Sequence, residues 1–462
     1  MLPLQPFFPG QRVNPINVNI TMKFSYRQIW QIAYPILLSL LMENMINLTD
    51  TVFLGHVGEV ELGASALAGV YYLAIFMLAF GFSVGVQILI GRRNGERRYA
   101  EIGSIFRQGT VFLLALAAVL FSVSQWATPS LLRLFIQSDA VYAATEKYME
   151  WRVYGFFFSF AAVMFRAFFV GITRTRVLTV NSIVMVLSNV VLNYVLIFGK
   201  CGFPELGIAG AAIASSVAEA VSVIFFVIYV RTKVDRAKYG FSLRGRFEPG
   251  LLRHVLGVSV WTMIQSFVSI STWFLFFLAV EHLGERPLAV TNMVRSISSL
   301  MFIVVNAFAS TTSSLVSNLM GAGQARYVPG TCARTIRMCY MLVLPIMLLI
   351  MLFPQTVLRL YTDSAPLIGA SVPALLVMAS SYLVSVPCFI LFNAVSGTGN
   401  TRSALGMELV ALAVYAVYVV WVILCLRADV AVCWTTEHVY AVVMLSLCWL
   451  YLKRGRWRTK RI

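Results

Sequence analysis

Glu43, Asn47 and Asp50 follow one another at four- and three-residue spacing inside an otherwise apolar stretch, so on a helix they share one stripe, with Asn44 and Thr51 beside it. A carboxylate at bilayer depth costs roughly 2.5–3.5 kcal/mol on insertion scales, and such residues mark ion or substrate pathways. Taken out of water, a carboxyl group holds a proton more readily than a free Asp does, which suits Asp50 to binding and releasing H+, with Na+ as the other candidate ion. Asn189 and Asn193 lie one turn apart on another apolar helix, Asn193 at about the depth of Asp50. Amides can donate to an ionised carboxylate or accept from a protonated one, so they suit either state of Asp50. Their alternative use is an ordinary interhelical hydrogen bond, commonly about 0.6 kcal/mol in membranes.

Other polar residues within apolar stretches are ambiguous. Glu219 shares a face with Ser215 and Ser222, which fits either a half-cavity or an interhelical bond. Asn292 and Arg295, with Ser299, Asn306 and Ser310, form a stripe expected to line the second half of a cleft, and Gln265 is a further polar candidate there. Glu408, near Arg402, and Arg166 read as snorkelling or paired side chains. Pro35 interrupts a helical pattern as either a hinge or a tolerated kink. The histidines, 56, 254, 282 and 438, fall at span ends or in loops, and the seven cysteines have no metal spacing. With no HExxH or GxSxG present, the residues support neither an enzyme nor a metal or cofactor site.

The elements that must position these groups are membrane helices. With 59% hydrophobic and 12% charged residues and a mean hydropathy of +0.81, the chain must be solvated by lipid. Runs long enough for a ~30 Å hydrocarbon core predict an all-α integral membrane protein with twelve spans. They fall at 29–54, 65–91, 106–128, 149–172, 178–199, 207–231, 254–281, 288–319, 335–353, 372–397, 403–426 and 434–452.

The net charge of +17 follows this topology. Of 36 Lys and Arg, seven fall in alternate loops (Arg133, Lys147, Arg152, Lys200, Arg286, Arg359, Arg427) and two, Arg166 and Arg295, within spans. The other 27, including Arg92, Arg93, Arg97 and Arg98, lie on one side, which places both termini in the cytoplasm of a multi-pass inner (plasma) membrane protein. Anionic lipid headgroups, not nucleic acids, are therefore the partners of the basic surface. Residues 1–22 read as a disordered or non-native extension, 232–253 as a cytoplasmic linker and 453–462 as a basic tail.

Between these segments the chain repeats itself at an ungapped offset of 226 residues: Gly58 with Gly284, Gly95 with Gly321, Leu132-Arg133-Leu134-Phe135 with Leu358-Arg359-Leu360-Tyr361, Gly171 with Gly397, and Thr175-Arg176 with Thr401-Arg402. Six helices return the chain to its starting side, so the lobes 23–231 and 254–452 are parallel repeats. Such folds hold substrate between halves that rock against each other.

Pro35, followed by Thr49-Asp-Thr-Val-Phe-Leu-Gly-His-Val-Gly58, resembles the first helix of the multidrug and toxic compound extrusion (MATE) family. Gly171-Ile-Thr-Arg-Thr-Arg176, Asn189-Val-Val-Leu-Asn193, Phe198 to Ala212 and Gly397-Thr-Gly-Asn-Thr-Arg402 resemble it too. The resemblance implies a two-lobed monomeric antiporter that expels amphipathic, often cationic, organic compounds against inward H+ or Na+. It matches Asp50 to the family's ion-binding acid, Pro35 to the bending proline of DinF-like members, and Asn189 to their polar network. Asn193 stands where DinF-like members carry Asp, with Glu43 a candidate replacement. The seventh and tenth helices lack the carboxylates of NorM-like members, which favours coupling through the first lobe. A lipid-linked oligosaccharide flippase is the alternative, but a cleft for pyrophosphate needs many cations, and only Arg295 and Arg166 are available.

Overall fold

The computed structural model describes residues 24–136, 138–241 and 247–460, so the extension read at 1–22 lies outside it, as do parts of the linker and tail. In chain order the helices are α1 (Tyr26–Gly55), α2 (Glu59–Gly95), α3 (Ala100–Phe135), α4 (Asp139–Arg152), α5 (Gly155–Gly171), α6 (Arg176–Ile197), α7 (Ile208–Lys233), α8 (Pro249–Glu281), α9 (Glu285–Gly321), α10 (Val328–Leu352), α11 (Pro354–Arg359), α12 (Ala365–Gly397), α13 (Thr401–Val419), α14 (Val430–Cys433) and α15 (Thr436–Arg454). Among the described residues eleven helices are long and apolar enough to cross a membrane, and α4 with α5 makes a twelfth span, bent by 52°.

The fourth span, expected at 149–172, is thus broken and begins earlier, at Asp139. Glu146, Lys147 and Glu150 make α4 more polar than α5, and the bend lets its charged face diverge from the apolar axis of α5. Tyr142, Thr145, Tyr148, Met149 and Arg152 turn one face into the lobe. Arg152, expected in a loop, is consequently buried.

The repeat reappears as matched tertiary contacts. Helices α2 and α9 are 37 residues each, about 55 Å at 1.5 Å per residue, and both run from just after one repeated glycine to the next. Thr175 Oγ1 donates to Ile32 O at 3.0 Å, and the residues 226 later do the same, Thr401 Oγ1 to Val258 O at 2.9 Å. Two similarly built lobes result, α1–α7 and α8–α15.

The lobes meet along one end. A Cβ on Gly95 would stand 2.1 Å from Asn318 O, and one on Gly321 would stand 2.1 Å from Arg92 O. A Cβ on Gly85 would stand 2.4 Å from Ser259 Cα of α8, and Asn94 Nδ2 donates to Asn318 Oδ1 at 2.6 Å. Continued at 3.6 residues per turn, the face of α2 holding Gly95 and Gly81 passes Leu73, Gly69 and Ala66, all exposed. Their counterparts Ser299, Arg295 and Asn292 on α9 are exposed too. The inter-lobe cleft is thus closed beside Arg92 and Arg93 and open at the opposite end.

Lipid replaces water as the outer solvent, so the helices are inside-out by soluble standards. On α6, Val180, Ile183, Leu187, Val191 and Tyr194 form one exposed stripe while Asn181, Asn189 and Asn193 are buried. In a bilayer the polar face must find partners in the protein, because the tails offer none.

Candidate functional site

Asp50 sits one turn from the end of α1, where its carboxylate meets α6 and α7. Oδ1 accepts from Asn193 Nδ2 at 2.5 Å and Oδ2 from Ser215 Oγ at 3.0 Å. Asn193 also donates to Asn189 Oδ1 at 3.1 Å, and Asn189 Nδ2 donates to Ser215 Oγ at 3.2 Å. The four side chains close a ring across three helices. Both asparagines are fully buried, Asp50 only partly, and no cation pairs with Asp50 among the described residues. Asn189 is thus linked to Asp50 through both Asn193 and Ser215. The buried Asn193 Oδ1 has no partner, an acceptor left open beside the carboxylate.

Glu43, two turns back along α1, belongs to a separate constellation. Its Oε1 accepts from Ser39 Oγ at 3.3 Å and pairs with Arg166 Nη1 at 3.4 Å, while Ser39 also bonds Ser182 of α6 at 2.7 Å. Arg166 is therefore paired, one of its two expected roles, and Glu43 meets this cation and not Asp50. The Glu43 side chain keeps 42% of its surface exposed, and Asn47 is exposed.

Glu219 does not stand free in the cleft, as its candidacy there required. Arg152 donates to it from both terminal nitrogens, Nη2 to Oε1 at 2.7 Å and Nη1 to Oε2 at 3.1 Å, and Tyr72 OH lies 3.1 and 3.0 Å from the same two oxygens. The guanidinium stacks 3.6 Å over the Tyr72 ring, whose hydroxyl also reaches Ser159. A Cβ at Gly155 would lie 2.2 Å from Arg152 Nη1 and 2.6 Å from Glu219 Oε2, so a larger residue there would have to displace the ion pair. Ser215 precedes Glu219 by one turn on α7, so the ring at Asp50 and this ion pair share a helix face.

In the second lobe Glu408 is 1% exposed, and it accepts from the hydroxyls of Ser269 and Tyr440. That overturns the snorkelling option, because its face of α13 points between α8 and α15, while Arg402 packs over Trp261. Ser269 and Glu408 are 226 residues beyond Glu43 and Ser182, so the lobes carry a carboxylate at the same helix contact but on opposite partners. Gln265 is partly buried with Oε1 unpartnered. Asn292 and Arg295 are exposed on the cleft face of α9, with Arg295 5.5 Å over the Phe277 ring. Helix α1 runs unbroken through Pro35, whose carbonyl accepts from Thr179 at 3.0 Å.

The MatE family profile matches residues 35–195 and 262–422, one copy in each lobe. The chain belongs to the MatE family. It is 24% identical to a probable multidrug resistance protein NorM of Synechocystis over 75% of this chain and 76% of that protein. A second NorM, from Thermotoga maritima, is also 24% identical, over 81% and 80%. Among solved structures, an outward-facing MATE family multidrug resistance transporter of the MOP superfamily shares the fold with a TM-score of 0.86 at 19% identity, covering 94% of this chain and 97% of that one. A MOP superfamily transporter from Pyrococcus furiosus matches equally.

In this MatE chain, sequence reasoning found Asp50 and the two asparagines but missed Arg152, Tyr72 and the part Ser215 plays. The available signal was Glu219 itself: a carboxylate that deep demands a cation, and Arg152 counts in the sequence among the loop cations.

Proposed function

We propose that the chain is a secondary active efflux antiporter that exchanges inward H+, or Na+, for amphipathic organic compounds by alternating access. The carrying observation is the Asp50 ring: a carboxylate held by an amide and a hydroxyl, free of any permanent cation and joined to an unfilled acceptor. Such a group can exchange its ionic partner without unfolding its surroundings, whereas Glu43 and Glu219 already carry one.

The closed end carries Arg92 and Arg93, which the positive-inside bias assigns to the cytoplasm, so this conformation opens outward. A proton or Na+ entering from outside reaches Asp50 near the open end, neutralises it and favours release of a bound cationic compound. Arg295 on the opposite wall confines positive charge to the first-lobe side. One charge crossing the membrane supplies about 2.3 kcal/mol per 100 mV.

Dye efflux from vesicles tests this, with pH and Na+ gradients imposed in turn. Asp50→Asn should abolish gradient-driven efflux while leaving expression and thermal unfolding near wild type. Undiminished efflux in that variant refutes the reading.

A further inference from the structure

A second cavity lies at the closed, arginine-bearing end of the second lobe, far from Asp50. It is an open depression of about 560 Å³ lined by Arg253, His254, Trp261, Arg402 and Lys460, with Gly250 and Gly257 also in its wall. Arg402 packs 5.5 Å over the Trp261 ring. Among the described residues none of Arg253, Arg402 and Lys460 is paired with a carboxylate. Three like charges around one opening repel each other unless an anion lies between them, and Arg offers the planar two-point donor geometry that phosphate oxygens accept.

The pocket is not a by-product of the duplication. At the positions 226 earlier, Arg27 and Arg176 keep the charge, but Phe24, Gln31 and Pro35 stand where the second lobe has Gly250, Gly257 and Trp261. A Cβ built on Gly250 or Gly257 meets nothing within 4 Å, so the second lobe keeps open the space that larger residues occupy in the first. An indole beside cations also suits headgroup depth, where Trp is enriched.

We propose that this pocket binds a phosphate-bearing anion, the chemistry shared by an anionic phospholipid headgroup and free phosphate. The site bears on conformation, because Lys460, one of its cations, also accepts through its main-chain carbonyl from Arg92 of the first lobe. An anion that fixes Lys460 therefore fixes the tail across the seam that must part when the cleft opens to the other side.

The test uses the full chain in phosphatidylcholine nanodiscs, with phosphatidylglycerol or inorganic phosphate added separately, read by native mass spectrometry and thermal unfolding. The wild type should gain several degrees in unfolding midpoint from the anion that binds. Protection by the lipid alone identifies a headgroup site, and protection by inorganic phosphate alone identifies a free-ion site. Arg253→Gln with Arg402→Gln should erase the gain, and so should Gly257→Leu, which fills open space without removing charge. Arg359→Gln, on the opposite end, should keep it. Equal protection in wild type and both pocket variants, or no protection of the wild type by either anion, overturns the proposal.

Discussion

Asp50, Glu43 and Glu219 are three carboxylates in one lobe, and their neighbours give them different work. Glu219 is held by Arg152, with side-chain exposures of only 17% and 11%, so neither charge has water to fall back on. Removing one partner of such a pair strands the other, typically at about 3–5 kcal/mol, whereas replacing both by apolar residues of similar size costs far less. Arg152→Met and Glu219→Leu should each lower the unfolding midpoint sharply in detergent, and the double variant should recover most of the loss. Additive losses would mean that the pair contributes to stability as two independent side chains. Asp50 belongs to the opposite class, since its partners are neutral and survive its replacement by Asn, which keeps the shape while deleting the charge.

At the scale of elements, α2 and α9 decide how the lobes can move. Each packs the half that ends in Gly95 or Gly321 against the other lobe and leaves one face of its other half exposed along the cleft. With backbone oxygens 2.1 Å from a hypothetical Cβ, the seam has no slack at Gly95 or Gly321. Gly95→Val and Gly321→Val should therefore force the closed end apart and raise thiol-reagent labelling of a cysteine placed at Asn318, with the lobes themselves still folded. Unchanged labelling in both variants would show that the two helices already separate freely. The bent pair α4 and α5 acts differently, as a fixed brace: its break exists to return Arg152 to Glu219, and Gly155 admits that return.

Across the whole molecule, transport requires that contacts at the closed end be temporary. The bond from Asn94 to Asn318 joins α2 of one lobe to α9 of the other. Replacing Asn94→Cys and Asn318→Cys and bridging them with a short thiol cross-linker should stop efflux, and cleaving the bridge should restore it. Continued efflux with the bridge intact would rule out opening at this seam. Phosphatidylglycerol, if it occupies the second-lobe pocket, should raise the cross-linking yield by keeping the seam closed for longer.

The sequence by itself determined the helices, their duplication and the depth of the polar groups. Hydrocarbon solvation leaves only helices as spanning elements in so apolar a chain, and a fixed repeat offset fixes equivalent places in the two lobes. It also singled out Asp50, Asn189 and Asn193, because polar residues in apolar spans are few and must have a reason. Partner choice was decided by tertiary structure. Whether Glu219 meets water or Arg152, whether Glu43 neighbours Asp50 or Arg166, and whether Glu408 reaches solvent or two hydroxyls each depends on which face of which helix lies opposite. Helical periodicity sets a residue's direction on its own element, but the facing residue comes from a helix tens or hundreds of positions away, and only packing brings the two together.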